Sequence, residues 1–401
     1  MADTIYLDYA ATTPADPAVV DAMLRYMGPG GVFANPASNT HLPGQEAAVA
    51  VDIARDQVAA LMKAAPDQIV WTSGATESIN LAIKGAAAAR RSVGRHIVTS
   101  CLEHSAALGA CRHLASEGYE IKLLKPNRDG LVSPEAVRGS LREDTALISL
   151  MQVNNETGTI TDVEAIGEIA RERGIPFHVD AAQSLARLPV NVSKLNADFV
   201  SVSGHKMYGP KGIGALYIRS RSTFGIDPQI HGGDQEMGLR AGTLPTHQIV
   251  GMGKAAEILM GRRDQDLERA RELEGFLLSK FAAIPRTSVN GGEPRVVGIA
   301  NLWFACVESE SLALAIRDEV AISSGSACTS ARVEPSHVLL GLGLSEDEAH
   351  RSIRVSLGRF TSQGEVERAA CRIEEAVGEL RSLSDEWEDG GEMVLAGVGE
   401  R

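Results

Sequence analysis

Between about residues 66 and 218, short apolar runs alternate with amphipathic stretches, and no other feature of the chain restricts its fold as tightly. That alternation is what a mostly parallel sheet with helices on both faces demands, so the fold class is α/β. The runs that read as strands are 68–72, 96–100, 120–124, 146–150, 177–180, 199–203 and 214–218. Helices are expected between them at 78–90, 105–117 and 163–173. A long helix at 249–282, charged in its second half, leads to a further strand at 296–304 and a helix at 309–319. In such sheets ligands sit beyond the carboxyl ends of the strands, which makes the polar residues there the ones to weigh.

Composition narrows the partners. With 401 residues, 44% hydrophobic and 23% charged, the chain can bury a full core and is expected to form two domains. Thirty-nine basic against 52 acidic residues leave a net charge of −13, which disfavours nucleic acid and anionic membrane surfaces. Met1-Ala2-Asp3-Thr4 starts no apolar leader, and no apolar run approaches the ~18 residues of a membrane span, so a cytoplasmic protein is expected. Five cysteines, odd in number and widely spaced, build neither a complete disulfide framework nor a CxxC metal site, and no metal is expected. Cys101, Cys111, Cys306 and Cys371 read as buried, inert thiols.

The chemistry concentrates at strand ends. Ser201-Val202-Ser203-Gly204-His205-Lys206 closes a strand with a lysine beside two groups able to hold an anion; such a lysine suits an aldehyde cofactor carried as a Schiff base. Gly74-Ala75-Thr76 opens a helix after another strand, where backbone N–H groups either bind a phosphate or form an ordinary cap. Asp180 either keeps a pyridine nitrogen protonated or caps a helix starting at Ala181, with Gln183 one helical turn onward. His104 can stack on a ring and pass protons, and Asn155 lies in a turn-forming Val153-Asn154-Asn155-Glu156-Thr157-Gly158. Arg354, inside an apolar run, needs an anion, which a substrate carboxylate or a structural Asp or Glu can supply. Cys328 sits among small residues in Ser323-Ser324-Gly325-Ser326-Ala327-Cys328-Thr329-Ser330, where a thiol should be exposed and movable.

Seven ordered motifs, SGATESIN (73–80), EHSA (103–106), VNNETG (153–158), HVDAAQS (178–184), SVSGHKMYGPKGIG (201–214), LRAGT (239–243) and ISSGSACTS (322–330), together resemble the cysteine desulfurases, most closely the housekeeping type that feeds iron–sulfur cluster assembly. The similarity runs from LDYAATTP at 7–14 to SIRVSLGRFT at 352–361. It implies a fold type I pyridoxal-phosphate enzyme of the class V aminotransferase family with a large, mostly parallel seven-stranded sheet domain (15–260). A smaller α+β domain (1–14 and 261–383) would carry the cysteine loop at about 322–335, and 384–401 would form a mobile tail. A homodimer is implied as well.

By the same resemblance Lys206 is the Schiff-base lysine, Asp180 the ring-nitrogen partner, Gln183 the phenolate partner and His104 the stacking base. Ala75, Thr76, Ser203 and His205 hold the phosphate, with Thr243 reaching in from the other subunit. Asn155 and Arg354 meet the carboxylate of L-cysteine, and Cys328 takes the sulfur as a persulfide for an acceptor such as a cluster scaffold or sulfur carrier. The sequence departs from the family at Asp234 and Met237, where glycine and arginine are usual, at Asp227-Pro228, and in the tail beyond Leu383.

Overall fold

In the computed structural model, residues 4–324 and 334–387 are described, and all that follows concerns these. The chain opens with the short strand β1 (Ile5–Tyr6) and the helices α1 (Pro17–Leu24) and α2 (Leu42–Met62). Strand and helix then alternate through β2 (Ile69–Thr72), α3 (Ala75–Ala89), β3 (His96–Ser100), α4 (Ser105–Ser116), β4 (Glu120–Leu124) and α5 (Pro134–Ser140). The alternation continues with β5 (Thr145–Met151), α6 (Val163–Arg173), β6 (Phe177–Asp180), α7 (Val192–Leu195), β7 (Phe199–Ser203) and β8 (Gly214–Ile218). After α8 (Thr246–Ala282) come β9 (Thr287–Asn290), β10 (Ile299–Phe304), α9 (Ser309–Ile316) and β11 (Val320–Ala321). The last elements are α10 (His337–Gly341), α11 (Glu346–His350), β12 (Ser352–Ser356) and α12 (Gln363–Ser382).

Seven strands form one sheet in the order β2-β8-β7-β6-β5-β3-β4. Only β8 runs against its neighbours, so the carboxyl ends of β2, β3, β5, β6 and β7 share one edge. The inner strands are buried along their whole length, as near-continuous apolar runs require when both faces are covered. Val70 and Trp71, adjacent on β2, enter opposite cores, one beneath α3 and α4, the other beneath α2 and α8. The edge strand β4 instead exposes Glu120, a charge that discourages pairing with another chain.

A third core gathers Ile5, Leu277, Phe281, Phe304, Ile353 and Ile373 around the antiparallel sheet β12-β10-β9. Helix α8 serves two cores: Ile249, Met252 and Leu259 belong to the first, Leu273, Leu277 and Phe281 to this one. Its charged stretch lies between them.

Four expectations are corrected. Helix α3 starts at Ala75, not 78, because Gly74 serves as its N-cap. No helix follows Asp180; residues 182–187 form turns. Of the four thiols expected to be buried, Cys111 and Cys306 are, but Cys101 is half-buried and Cys371 is exposed, since it falls on the outward face of amphipathic α12. The expected tail begins with a packed segment: Glu386 pairs with Arg351 at 2.8 Å, and the guanidinium of Arg381 stacks 4.1 Å from the centre of the Trp387 ring. Residues 388–401 lie outside the described part. No helix among the described residues is long and apolar enough to cross a membrane.

Candidate active site

The shared carboxyl edge opens into a cavity of about 930 Å³. Each strand end delivers residues to its wall: Ala75 and Thr76 after β2, His104 after β3, Asn155 after β5, Asp180 and Gln183 at β6, and Ser203, His205 and Lys206 at β7. Arg354 joins them from β12. The structure thus brings together every expected site residue except two. Thr243 is exposed and lines a separate, smaller cavity with Asn35, Asp52 and Arg55. Cys328 lies outside the described residues.

Lys206 is presented by a tight turn after β7. Gly204 permits it, because a Cβ there would come within 2.8 Å of the Pro210 carbonyl oxygen. The Lys206 ammonium donates to the carbonyls of Ala10 and, at 2.8 Å, Ala11. Removal from bulk water, reinforced by the positive charges of Arg354 and Arg187, brings its pKa down to about 7. A substantial neutral fraction near pH 7 makes this amine a competent nucleophile.

Asp180 ends β6 with one carboxylate oxygen accepting from the Ala182 N–H at 2.9 Å. Burial raises its pKa, which the charges of His104 and Lys206 partly oppose, so a carboxyl here grips a proton shared with a basic ring nitrogen. Gln183 reaches the cavity through the turn rather than along a helix, donating to the Ala10 carbonyl at 2.8 Å and accepting from Arg187 at 3.0 Å. At His104, Nδ1 accepts from the Ala106 N–H at 3.2 Å, which leaves Nε2 to carry the proton of the neutral ring. The ring is exposed at the cavity mouth, yet partial desolvation by the surrounding protein holds its pKa below the ordinary value despite the pull of Asp180.

The other end of the cavity is built for an anion. Helix α3 has no side-chain cap, so its first N–H groups face the cavity beside Thr76. Gly74 has φ +153°, and a Cβ built there would meet nothing within 4 Å, which leaves the cradle open. His205 bonds Thr12 Oγ1 at 3.1 Å, and desolvation with the charges of Lys206 and Lys211 brings its pKa down to about 4. Glu77 would repel an anion at this place. Burial pushes its carboxyl up, but bonds from Arg240 and the Ser73 N–H overcome this and hold it below the carboxylate range, an ionised group already paired.

Arg354 donates to Asp8 Oδ1 at 2.8 Å and to the Asn155 carbonyl at 3.0 Å, so the structural carboxylate is Asp8. Its Nε is buried without a partner among the described residues. The neighbouring Asn154 folds the turn by accepting from the Glu156 and Thr157 N–H groups. Asp8, Ala10, Ala11, Thr12, Glu156, Ser336 and His337 also line the cavity and were not foreseen as part of this site, with Glu103 buried behind them. Ala10 and Ala11 act through carbonyls, which leave no trace in side-chain identity. Glu103 is fully buried, which raises its pKa well above the ordinary value, and one of its oxygens is unpartnered among the described residues. Ser336 donates to Glu156 at 2.6 Å, and His337 Nε2 bonds the Glu103 carbonyl at 2.9 Å.

A half-buried amine of lowered pKa, a carboxyl facing the cavity and an uncapped helix terminus are the donor set that pyridoxal phosphate needs, and the residues present fit it. No cluster of metal-ligating side chains occurs among the described residues. The family model described as aminotransferase class-V matches residues 5–369. The chain is 52% identical over 385 residues, 96% of this chain and 95% of the relative, to the cysteine desulfurase IscS of Shewanella pealeana. Among solved structures, a NifS-like protein aligns with a TM-score of 0.87 at 32% identity, covering 94% of this chain and 100% of its own. One titled "SspA in complex with cysteine" aligns with a TM-score of 0.79 at 40% identity, covering 90% of this chain and 100% of its own.

Proposed function

Since the chain belongs to the class-V aminotransferase family, and within it to the cysteine desulfurases, we propose the following division of labour among its residues. The protein is a pyridoxal-phosphate-dependent cysteine desulfurase that converts L-cysteine to L-alanine and retains the sulfur. The half-buried amine of Lys206, with its pKa brought down to about 7 at the carboxyl edge of the sheet, carries this reading. When bound there, the cofactor supplies an electrophilic aldehyde and a ring that withdraws electrons from the substrate's Cα.

Lys206 would hold the cofactor through its aldehyde, the position that the substrate amine would take in turn. Ala75, Thr76, Ser203 and His205 fix the phosphate, and Gln183 fixes the phenolic oxygen. Asp180 holds the proton on the ring nitrogen. His104 would stand beside the cofactor ring, with Nε2 placed to move protons. Arg354, which lines the cavity while bonded to Asp8, receives the substrate carboxylate with Asn155. The Cys328 thiolate attacks the substrate sulfur, the C–S bond electrons remain with the carbon that becomes alanine, and a persulfide is left on Cys328.

The finer organisation is part of the same reading. A large domain (15–260) and a small one (1–14 and 261–383) meet over the cavity, and Thr243 completes the phosphate site of the other subunit of a homodimer, consistent with its exposure on its own chain. The persulfide passes to an acceptor in the cytoplasm, for iron–sulfur cluster assembly or thio-modification.

One experiment tests the assignment. Changing Cys328 to Ser is expected to abolish alanine release from cysteine while the yellow cofactor stays bound. Full activity in that variant would remove Cys328 from the reaction.

A further inference from the structure

Arg359 lies just past β12, outside the cavity, and its side chain is only 1% exposed. Its guanidinium bonds Asp16 at 2.8 Å and Asp266 of α8 at 2.7 Å, and it stacks 4.1 Å from the centre of the Tyr208 ring. The backbone N–H of Arg359 donates to the Tyr208 hydroxyl at 2.8 Å. Tyr208 itself has φ +64°, a left-handed conformation uncommon for a bulky residue. A conformation of that kind persists only where its surroundings dictate it.

What the conformation secures is two residues away. The Tyr208 N–H donates to Thr13 Oγ1 at 2.8 Å, and Thr13 Oγ1 donates in turn to the His205 carbonyl at 3.0 Å. The Asp16 N–H closes the loop on the Tyr208 carbonyl at 3.0 Å. Lys206 therefore sits in a turn gripped on both sides by residues 13 and 16, and residue 16 is itself held by Arg359. The N-terminal segment is fastened at its other end too, where Asp8 meets Arg354. Its middle supplies the two carbonyls that receive the Lys206 ammonium.

We propose that Arg359 is a positioning residue for Lys206, acting on the turn that bears it through Tyr208 and Thr13. A buried charge held by two carboxylates contributes little net stability compared with an apolar replacement of similar size, so fixed geometry is what the arrangement gains. The Arg359 Nη2 atom, buried and unpartnered among the described residues, fits a site selected for orientation rather than for complete pairing. The proposal rests on Lys206 being the amine that binds the cofactor.

Two variants test it. Arg359→Lys keeps the charge but loses the planar fork and the stacking. Thr13→Val keeps every charge and removes the hydroxyl that joins the Tyr208 N–H to the His205 carbonyl, leaving only the bond from the residue 13 N–H to that carbonyl at 2.9 Å. Each is expected to fold with wild-type circular dichroism, to leave KM for cysteine within about two-fold, and to lower kcat about 100-fold, the scale of an ~1 Å misplacement. Reconstitution of the apoprotein with pyridoxal phosphate, followed by absorbance and by borohydride fixation, should slow by about ten-fold. The double variant should be no worse than the poorer single one, because both lie on one chain of contacts. Wild-type kcat and reconstitution in folded single variants, or effects that multiply in the double, would overturn the proposal. A Lys206→Ala control separates the two levels: cofactor still fixed by borohydride in that variant would overturn the Lys206 assignment itself.

Discussion

His178 and Asp180 lie two residues apart on β6, on the same face of the strand, and they live in opposite electrostatic worlds. His178 is inside the sheet, where Nδ1 bonds Ser149 and Nε2 bonds Ser201, both at 2.8 Å. Burial brings its pKa down to about 3, so it is a neutral, fully partnered ring. Asp180 stands at the strand end with one protein hydrogen bond and a raised pKa, open to the cavity. Both ring nitrogens of His178 are thus matched to partners on neighbouring strands. At the carboxyl edge the same kinds of groups are held in place but left with capacity to spare, as at Lys206, Asp180 and Arg354.

The comparison breaks most visibly if edge residues matter for folding or interior ones for chemistry. Lys206→Ala should lower alanine release on the order of 10⁴-fold or more, with the melting temperature nearly unchanged, as measured by amino-acid analysis and calorimetry. Arg354→Lys, which loses the bidentate fork, should raise KM for cysteine by roughly 30-fold, equivalent to about 2 kcal/mol of charge-assisted hydrogen bonding. The interior behaves the other way: His178→Ala should cost about 3 kcal/mol in a denaturant titration through the cavity and two orphaned hydroxyls, and leave kcat within a few-fold.

A pH series sharpens the contrast. The folded pKa of His178, about 3, lies below the ~6.5 of an unfolded histidine, so the folded state binds fewer protons between these values. Its stabilising effect is complete above the unfolded value and is lost as pH falls towards the folded one, at up to ~1.4 kcal/mol per pH unit. Unfolding titrations of the wild type and His178→Gln from pH 7 to pH 4 should differ by that slope; parallel curves would show that His178 titrates normally. The smallest effect is expected at exposed Cys371, where replacement by Ser should change stability by no more than about 0.5 kcal/mol.

Much of the frame is legible in the chain itself. The five inner strands are short runs of Val, Ile, Leu and Phe bounded by polar residues, and β3, β6, β7 and β8 occupy the positions the pattern assigns. Helix α6 is equally plain, with Asp162 capping its start and Gly174 in the left-handed conformation at its end. Legibility fails where a helix lacks those marks. Helix α3 begins at a glycine with no capping side chain, and the turns after Asp180 carry an apolar Ala-Ala start that reads as helix. Helices α2 and α12 lie outside the strand–helix alternation, and nothing in that pattern announces them.

The sequence alone determined which side chains stand at strand ends, because a strand's period and the need to bury its apolar run fix where the polar boundary falls. Residues 75, 76, 104, 155, 180, 183, 203, 205 and 206 could be named on that ground and on motif order. Tertiary structure alone decided what those groups touch: Asp8 and Arg354 are 346 positions apart, Glu156 and Ser336 are 180 apart, and the Lys206 ammonium rests on two alanine carbonyls near the amino terminus. Local pattern reports a residue's exposure and secondary structure, whereas such pairings depend on how separate elements pack, and a backbone carbonyl offers the same acceptor whatever side chain it carries.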